Sequence, residues 1–184
     1  MEPELVTKLL RLNQEFYATY AQSFAATRHS VQPGVLRLLP QIMQAELVLD
    51  LGCGNGNLAK LLQSEGFIGS YFGIDENAYF LEQAEAAVQD AASGSYTFRK
   101  SSLVDPAWLD LVDEADTVCS FATLHHLPGS ELHERLFSAV SAKLSPNGRF
   151  FLSCWQVIGT KRLEKHLVPW KPLDIPSGSL GEND

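Results

Sequence analysis

A chain of 184 residues, 45% hydrophobic and 20% charged, has the make-up of a folded globular protein, which excludes disordered and fibrous classes. Its formal charge of -8 argues against a general nucleic-acid binder, because such proteins carry a basic face to neutralise phosphates. No apolar run approaches the roughly 20 residues that span a bilayer. The opening segment carries Glu2 and Glu4 where a secretory leader would be basic, so no membrane association is expected and the cytoplasm is the expected location.

The length suits one domain over 1–184. Cys53, Cys119 and Cys154 are odd in number, far apart and without a CxxC pair, so all three are expected to be free, buried thiols with no metal site.

Taken in chain order, apolar residues recur at Leu5, Leu9, Leu12, Phe16, Tyr20 and Phe24, the three-or-four spacing of an amphipathic helix. A second short helical run over 35–43 follows Gln32-Pro33-Gly34, so 1–44 reads as a helical segment ahead of the core. Strand and helix then alternate. Residues 46–51 read as the first strand, 58–63 as a helix, 69–75 as the second strand and 77–92 as a helix capped by Asn77. The third strand is expected over 95–101 and the fourth over 115–124. A helix capped by Ser130 is ended by the turn at Pro146, Asn147 and Gly148, and 149–155 forms the fifth strand.

This alternation predicts an α/β, Rossmann-like fold: a mostly parallel sheet with helices on both faces, its core at 45–155. Residues 156–184 read as a short basic helix and a loop tail, in which Lys161, Arg162, Lys165 and Lys171 outnumber Glu164. A solvated helix face is the plainer reading of that run, and a patch facing an anionic substrate the sharper one.

The chemistry concentrates in LVLDLGCGNGNLAK, residues 47–60, where Gly52, Gly54 and Gly56 follow an apolar strand that ends near Asp50. In an open parallel sheet the first strand-to-helix turn supplies the ligand loop. A dinucleotide fingerprint needs G-x-G-x-x-G, and Asn57 stands where the third glycine would be. A phosphate-binding Walker loop is excluded, since no Gly-Lys-Ser/Thr follows. Asp50 would repel a pyrophosphate but attract an ammonium, whereas Asp75 lies where an acid accepts from ribose hydroxyls. A ribose and a positive group without a diphosphate match S-adenosylmethionine (SAM).

The motifs LVLDLGCGNGNLA, YFGID, FATLHHLP and LSPNGRFFLS, in this order, resemble the class I SAM-dependent methyltransferases over 46–155. The resemblance implies that Gly52, Gly54 and Gly56 let the backbone approach the methionine moiety, with Cys53 a small filler beside the ligand. It implies that Asp75 holds the ribose, that Asp50 orients the loop or meets the amino group, and that Glu76 and Asn77 lie beside the adenosine. Many members place an aspartate at the end of the third strand; here Ser101, Ser102 and Leu103 stand instead. Ser102 could still accept a hydrogen bond from adenine, and Leu103 could offer backbone.

The flanking segments, 12–35 and 152–170, resemble the branch with the tRNA wobble-uridine carboxymethyl methyltransferases and their bacterial relatives. In that branch Tyr17, Phe24, Thr27 and Arg28 could close over the cofactor, with Arg28 pairing to its carboxylate. The methyl acceptor is then a tRNA carboxylate or a small molecule, and S-adenosylhomocysteine (SAH) is the product. An ionised carboxylate acceptor needs positioning and no base. For a hydroxyl or amine, His125 or His126 is the candidate base, one expected to face the cleft and the other the core.

Members of this branch continue into a C-terminal strand pair, so the sheet is expected to lack that pair here, the chain stopping within the domain. An open edge would favour a homodimer or a protein partner. A SAM-binding module without catalysis of its own is the rival from another class, and an NAD-dependent oxidoreductase is disfavoured by Gly56 and Asp50.

Overall fold

The computed structural model describes residues 1–27, 31–88, 93–155 and 159–164, with the isolated residues 174, 175 and 179. Among them, the five strands β1 (Leu47–Leu51), β2 (Ser70–Asp75), β3 (Ser95–Lys100), β4 (Ala115–Phe121) and β5 (Leu144–Ser153) form one sheet in the order β3-β2-β1-β4-β5. Every pairing is parallel. The helices are α1 (Pro3–Thr27), α2 (Pro33–Ile42), α3 (Asn57–Ser64), α4 (Ala78–Val88), α5 (Ser130–Lys143) and the short α6 (Lys161–Glu164).

A parallel sheet must be covered on both faces, and two apolar clusters do this. One joins Val48, Tyr71, Phe98 and Cys119 to Val35, Leu58, Leu62 and Leu81 from α2, α3 and α4. The other joins Leu49, Ile74 and Val118 to Leu136 and Val140 of α5 and to Trp108, which a 3-10 turn over Pro106–Leu111 carries inward. Asp116 fixes the start of β1, its carboxylate accepting from the backbone N–H groups of Glu46 (3.1 Å) and Leu47 (2.9 Å). No C-terminal strand pair joins the sheet among the described residues.

Several expectations need correction. Ser130 does not cap α5: Gly129 occupies the cap with φ 81° and has no side chain to accept from the first-turn N–H groups, while Ser130 is the first helical residue. The Pro146-Gly148 turn lies within β5, because Leu144 already pairs with Ala115 before the register shifts and resumes at Arg149 opposite Thr117. Asn147, at φ 67°, makes that irregularity possible. β4 ends at Phe121, since Ala122 turns the backbone to φ 55° and Leu124–His126 form a 3-10 turn. Cys53 and Cys119 are free and buried as expected, but Cys154 is exposed. Residues 89–92, at the end of the expected fourth helix, lie outside the described set, as do Lys165 and Lys171 of the basic run.

Candidate functional site

A cavity of about 1380 Å³ opens beyond the carboxyl ends of β1, β2, β3 and β4, where strand order reverses between β1 and β4. Its floor is the loop after β1, and α1 lies across it, contributing Leu10, Asn13, Tyr17 and Ala21 at helical spacing. Of the stripe read in the sequence, Phe16 also lines the cavity, although it and Tyr20 are 49% and 53% exposed.

The glycines of the loop divide by task. All three adopt positive φ: Gly52 at 78°, Gly54 at 54° and Gly56 at 74°, a region that side chains disfavour. A Cβ on Gly52 would collide with the Thr123 side chain, and one on Gly56 would fall 2.7 Å from Ala84 Cβ on α4. Nothing lies within 4 Å of a Cβ on Gly54, which therefore faces open cavity. Gly52 and Gly54 line the cavity, whereas Gly56 is absent from its walls and packs the loop against α4. The loop is held from behind, since Ile74 carbonyl accepts from both Gly52 N–H (2.8 Å) and Cys53 N–H (3.0 Å).

Asp75 ends β2 and organises the next turn. Its two oxygens accept from Gly54 N–H and Asn77 N–H, each at 2.9 Å. A carboxylate offers about four acceptor positions, so capacity remains for ligand hydroxyls. Burial raises its pKa above the usual carboxylate range, against the lowering by those backbone donors. Asn77 caps α4 as expected, its Oδ1 accepting from Phe80 N–H at 3.2 Å. Glu76 lines the cavity and accepts from Gln14 Nε2 at 3.2 Å.

Asp50 lies on the neighbouring strand β1, opposite Gly73 and two residues short of Asp75, and is 3% exposed, with one oxygen accepting the Tyr71 hydroxyl at 2.5 Å. Burial pushes its pKa up to about 7; the Tyr71 hydrogen bond opposes this and the Asp75 charge adds to it. Cys53 lines the cavity as a buried thiol whose pKa burial holds well above the ordinary value, so it is no nucleophile near neutrality. Ser102 and Leu103 line the wall beyond β3.

His125 and His126 both line the cavity, correcting the expectation that one would point into the core. They stand on the 3-10 turn rather than on the strand, so their rings stay together, with centroids 4.2 Å apart. The Tyr17 hydroxyl meets His126 Nε2 at 2.9 Å, and the His125 ring lies 5.7 Å from that of Trp155 after β5. Residue Arg28 lies outside the described residues, as do the side chains of Phe24 and Thr27. Among the described residues no cluster of His, Cys, Asp or Glu could hold a metal, and no helix is long and apolar enough to cross a membrane.

Sequence reasoning missed Tyr71, Thr123, Gln14 and Trp155. Tyr71 faces the same side of the sheet as Asp50, a relation that needs the register of β1 and β2 and that the sequence alone does not carry.

A doubly wound parallel sheet with a glycine loop at its switch point, and with Asp50 and Asp75 lining the cavity at the ends of β1 and β2, defines a Rossmann-like protein built for a nucleoside-containing ligand. The sequence pattern of the methyltransferase domain matches residues 20–175. The chain belongs to this family, the class I SAM-dependent methyltransferases, in which SAM is the methyl donor.

Among curated proteins it is 24% identical over 160 residues to the tRNA (carboxymethyluridine(34)-5-O)-methyltransferase ALKBH8 of Macaca fascicularis, covering 83% of this chain and 22% of that protein. It is 26% identical over 181 residues to the cyclopropane-fatty-acyl-phospholipid synthase of Escherichia coli K12, covering 96% and 44%. The chain thus spans less than half the length of these relatives. The SAM-bound structure of CalS10, an amino pentose methyltransferase from Micromonospora echinaspora, shares the fold with a TM-score of 0.57 at 19% identity, covering 76% of this chain and 57% of that one.

Proposed function

We propose that this chain transfers a methyl group from SAM to an acceptor held in the cavity beneath α1, the acceptor being a small molecule or a tRNA wobble-uridine carboxymethyl group. One observation carries the reading. The backbone at Gly54 faces open space in a cavity that Asp50 and Asp75 also line, and the two carboxylates suit the ammonium and the ribose of SAM.

The residues present fit that ligand. Asp75 would accept from ribose hydroxyls, Asp50 would meet the ammonium, and Gly52, Cys53 and Gly54 would floor the methionine. Glu76, Ser102 and Leu103 would flank the adenosine, and Tyr17 would cover the ligand from α1. Gly56 would act by packing the loop onto α4. When bound, SAM supplies a methyl group on a positively charged sulfur.

The chain's own work is to orient the acceptor and exclude water. An acceptor carboxylate is ionised near neutral pH and needs no base. A hydroxyl or amine acceptor would lose its proton to the wall that His125 and His126 form, where Nε2 of His126 is already engaged by the Tyr17 hydroxyl. The net charge of -8 favours the small molecule, because tRNA binding draws on phosphate neutralisation.

The test is transfer of labelled methyl from SAM to bulk tRNA and, separately, to a panel of small carboxylic acids. Labelled tRNA supports the tRNA arm, and a labelled acid the small-molecule arm. Tight SAM binding without transfer to either class replaces both with a non-catalytic SAM-binding partner module.

A further inference from the structure

Asp50 and Tyr71 lie on neighbouring parallel strands, where Val48 pairs with Tyr71 and Asp50 with Gly73. Paired residues point to the same face, so the phenol of Tyr71 approaches Asp50 along the diagonal. It donates to Asp50 Oδ2 at 2.5 Å, with Tyr71 itself 1% exposed. The other carboxylate oxygen accepts no hydrogen bond among the described residues, and Asp50 lines the cavity.

The titratable groups acting on Asp50 come from three elements: Tyr71 and Asp75 of β2, Cys53 of the glycine loop, and Cys119, which β4 sets directly opposite it. Each of these is neutral or anionic, and the ion pairs among the described residues, Arg11 with Glu15 and Arg135 with Glu131, lie on the surface. A buried carboxyl without a cation keeps its proton, and an arriving cation removes the reason to keep it.

We propose that Tyr71 is the positioning residue of the amino-acid subsite: its phenol turns the second oxygen of Asp50 toward the ligand's ammonium, and Asp50 releases a proton as that ammonium docks. The inference rests on reading the cavity as the SAM site. The step balances, because the acid proton passes to solvent, the Tyr71 O–H stays intact, and the ammonium becomes the counter-ion of the new carboxylate.

The raised pKa of about 7 places the transition within an accessible range. Affinity for SAH is expected to rise by up to tenfold per unit between pH 5 and pH 7 and to level off above. 5′-Methylthioadenosine has the same adenosine but no amino-acid end, so it shares any slope that Asp75 contributes at the ribose and is expected to lack the part that Asp50 adds.

The experiment is calorimetric titration of both ligands from pH 5 to pH 8 into the wild-type chain, Tyr71→Phe and Asp50→Asn. Tyr71→Phe keeps the ring in the core and removes the donor that favours the carboxylate. Its SAH profile is expected to move toward alkaline pH by about one to two units. Asp50→Asn is expected to bind SAH weakly and with no steeper slope than 5′-methylthioadenosine shows. A purely structural role for Tyr71 would lower affinity equally at every pH.

Wild-type titrations at pH 6, in buffers of different ionisation heat, are expected to show nearly one proton more released with SAH than with 5′-methylthioadenosine. A flat SAH profile, an equal slope for both ligands, or an unmoved midpoint in Tyr71→Phe overturns the inference. If Tyr71→Phe fails to fold, a fluorinated tyrosine at position 71 is the substitute, and its stronger donation must move the midpoint toward acid. Failure of both ligands to bind at any pH overturns the SAM-site reading itself.

Discussion

The hydroxyl of Tyr17 on α1 lies 2.9 Å from Nε2 of His126, a residue 109 positions later on the turn after β4. Their rings meet edge to face with centroids 5.2 Å apart, and the Tyr17 ring also packs at 5.9 Å on Phe80 of α4. Asn77 Nδ2 adds a bond to the Tyr17 carbonyl at 3.4 Å. One side chain of α1 thus ties the roof of the cavity to two of its walls. A double-mutant cycle of Tyr17→Phe and His126→Ala, read by SAH affinity, should return a coupling of about 1 kcal/mol. Strictly additive losses would mean that the contact does not hold the roof over the ligand.

The three loop glycines should separate in their effects. Gly52→Ala and Gly56→Ala both force a Cβ into occupied space at positive φ, so each should lower stability by about 2–4 kcal/mol in urea unfolding. Gly54→Ala meets nothing within 4 Å and should cost only the backbone penalty of about 1–2 kcal/mol, with a larger loss in SAH affinity. Normal SAH binding by Gly54→Ala would remove this glycine from the ligand floor.

Asp50 should make the ligand-free protein less stable as pH rises. Its folded pKa of about 7 exceeds the unfolded value near 3.9, so the folded state holds the extra proton between those limits. Stability from this group is complete below about pH 4 and is lost as pH climbs toward 7. The loss is on the order of 2–4 kcal/mol. Asp75 is raised in the same sense and remains in the variant, so Asp50→Asn should show a shallower fall between pH 4 and pH 8, and greater stability than wild type at pH 8. Parallel curves for the two proteins would contradict this.

What was legible in the sequence was local. The glycine loop, Asp75 and the Asn77 cap declare themselves through spacing along a few residues, and the alternation of strands and helices declares the layered fold. Contacts between distant segments were not legible. Nothing in the local pattern pairs Tyr17 with His126 or Tyr71 with Asp50, because those contacts depend on strand order and register. The expected terminator at Pro146-Gly148 became an irregularity inside β5, since the parallel ladder with β4 resumes at Arg149 and absorbs the turn. His125 and His126 face the same cavity because Ala122 leaves the strand at φ 55°, a conformation that alanine does not advertise.

The most direct test of the SAM site is calorimetric titration of SAH into the wild-type chain and Asp75→Ala at one pH above 7. Asp75 accepts from Gly54 and Asn77 and lies where the ribose hydroxyls would be held. Binding by wild type, weakened by about 1–3 kcal/mol in a folded Asp75→Ala, is the result expected. Equal affinity in the two proteins, or no binding by wild type, would contradict the placement of SAM at the ends of β1 and β2.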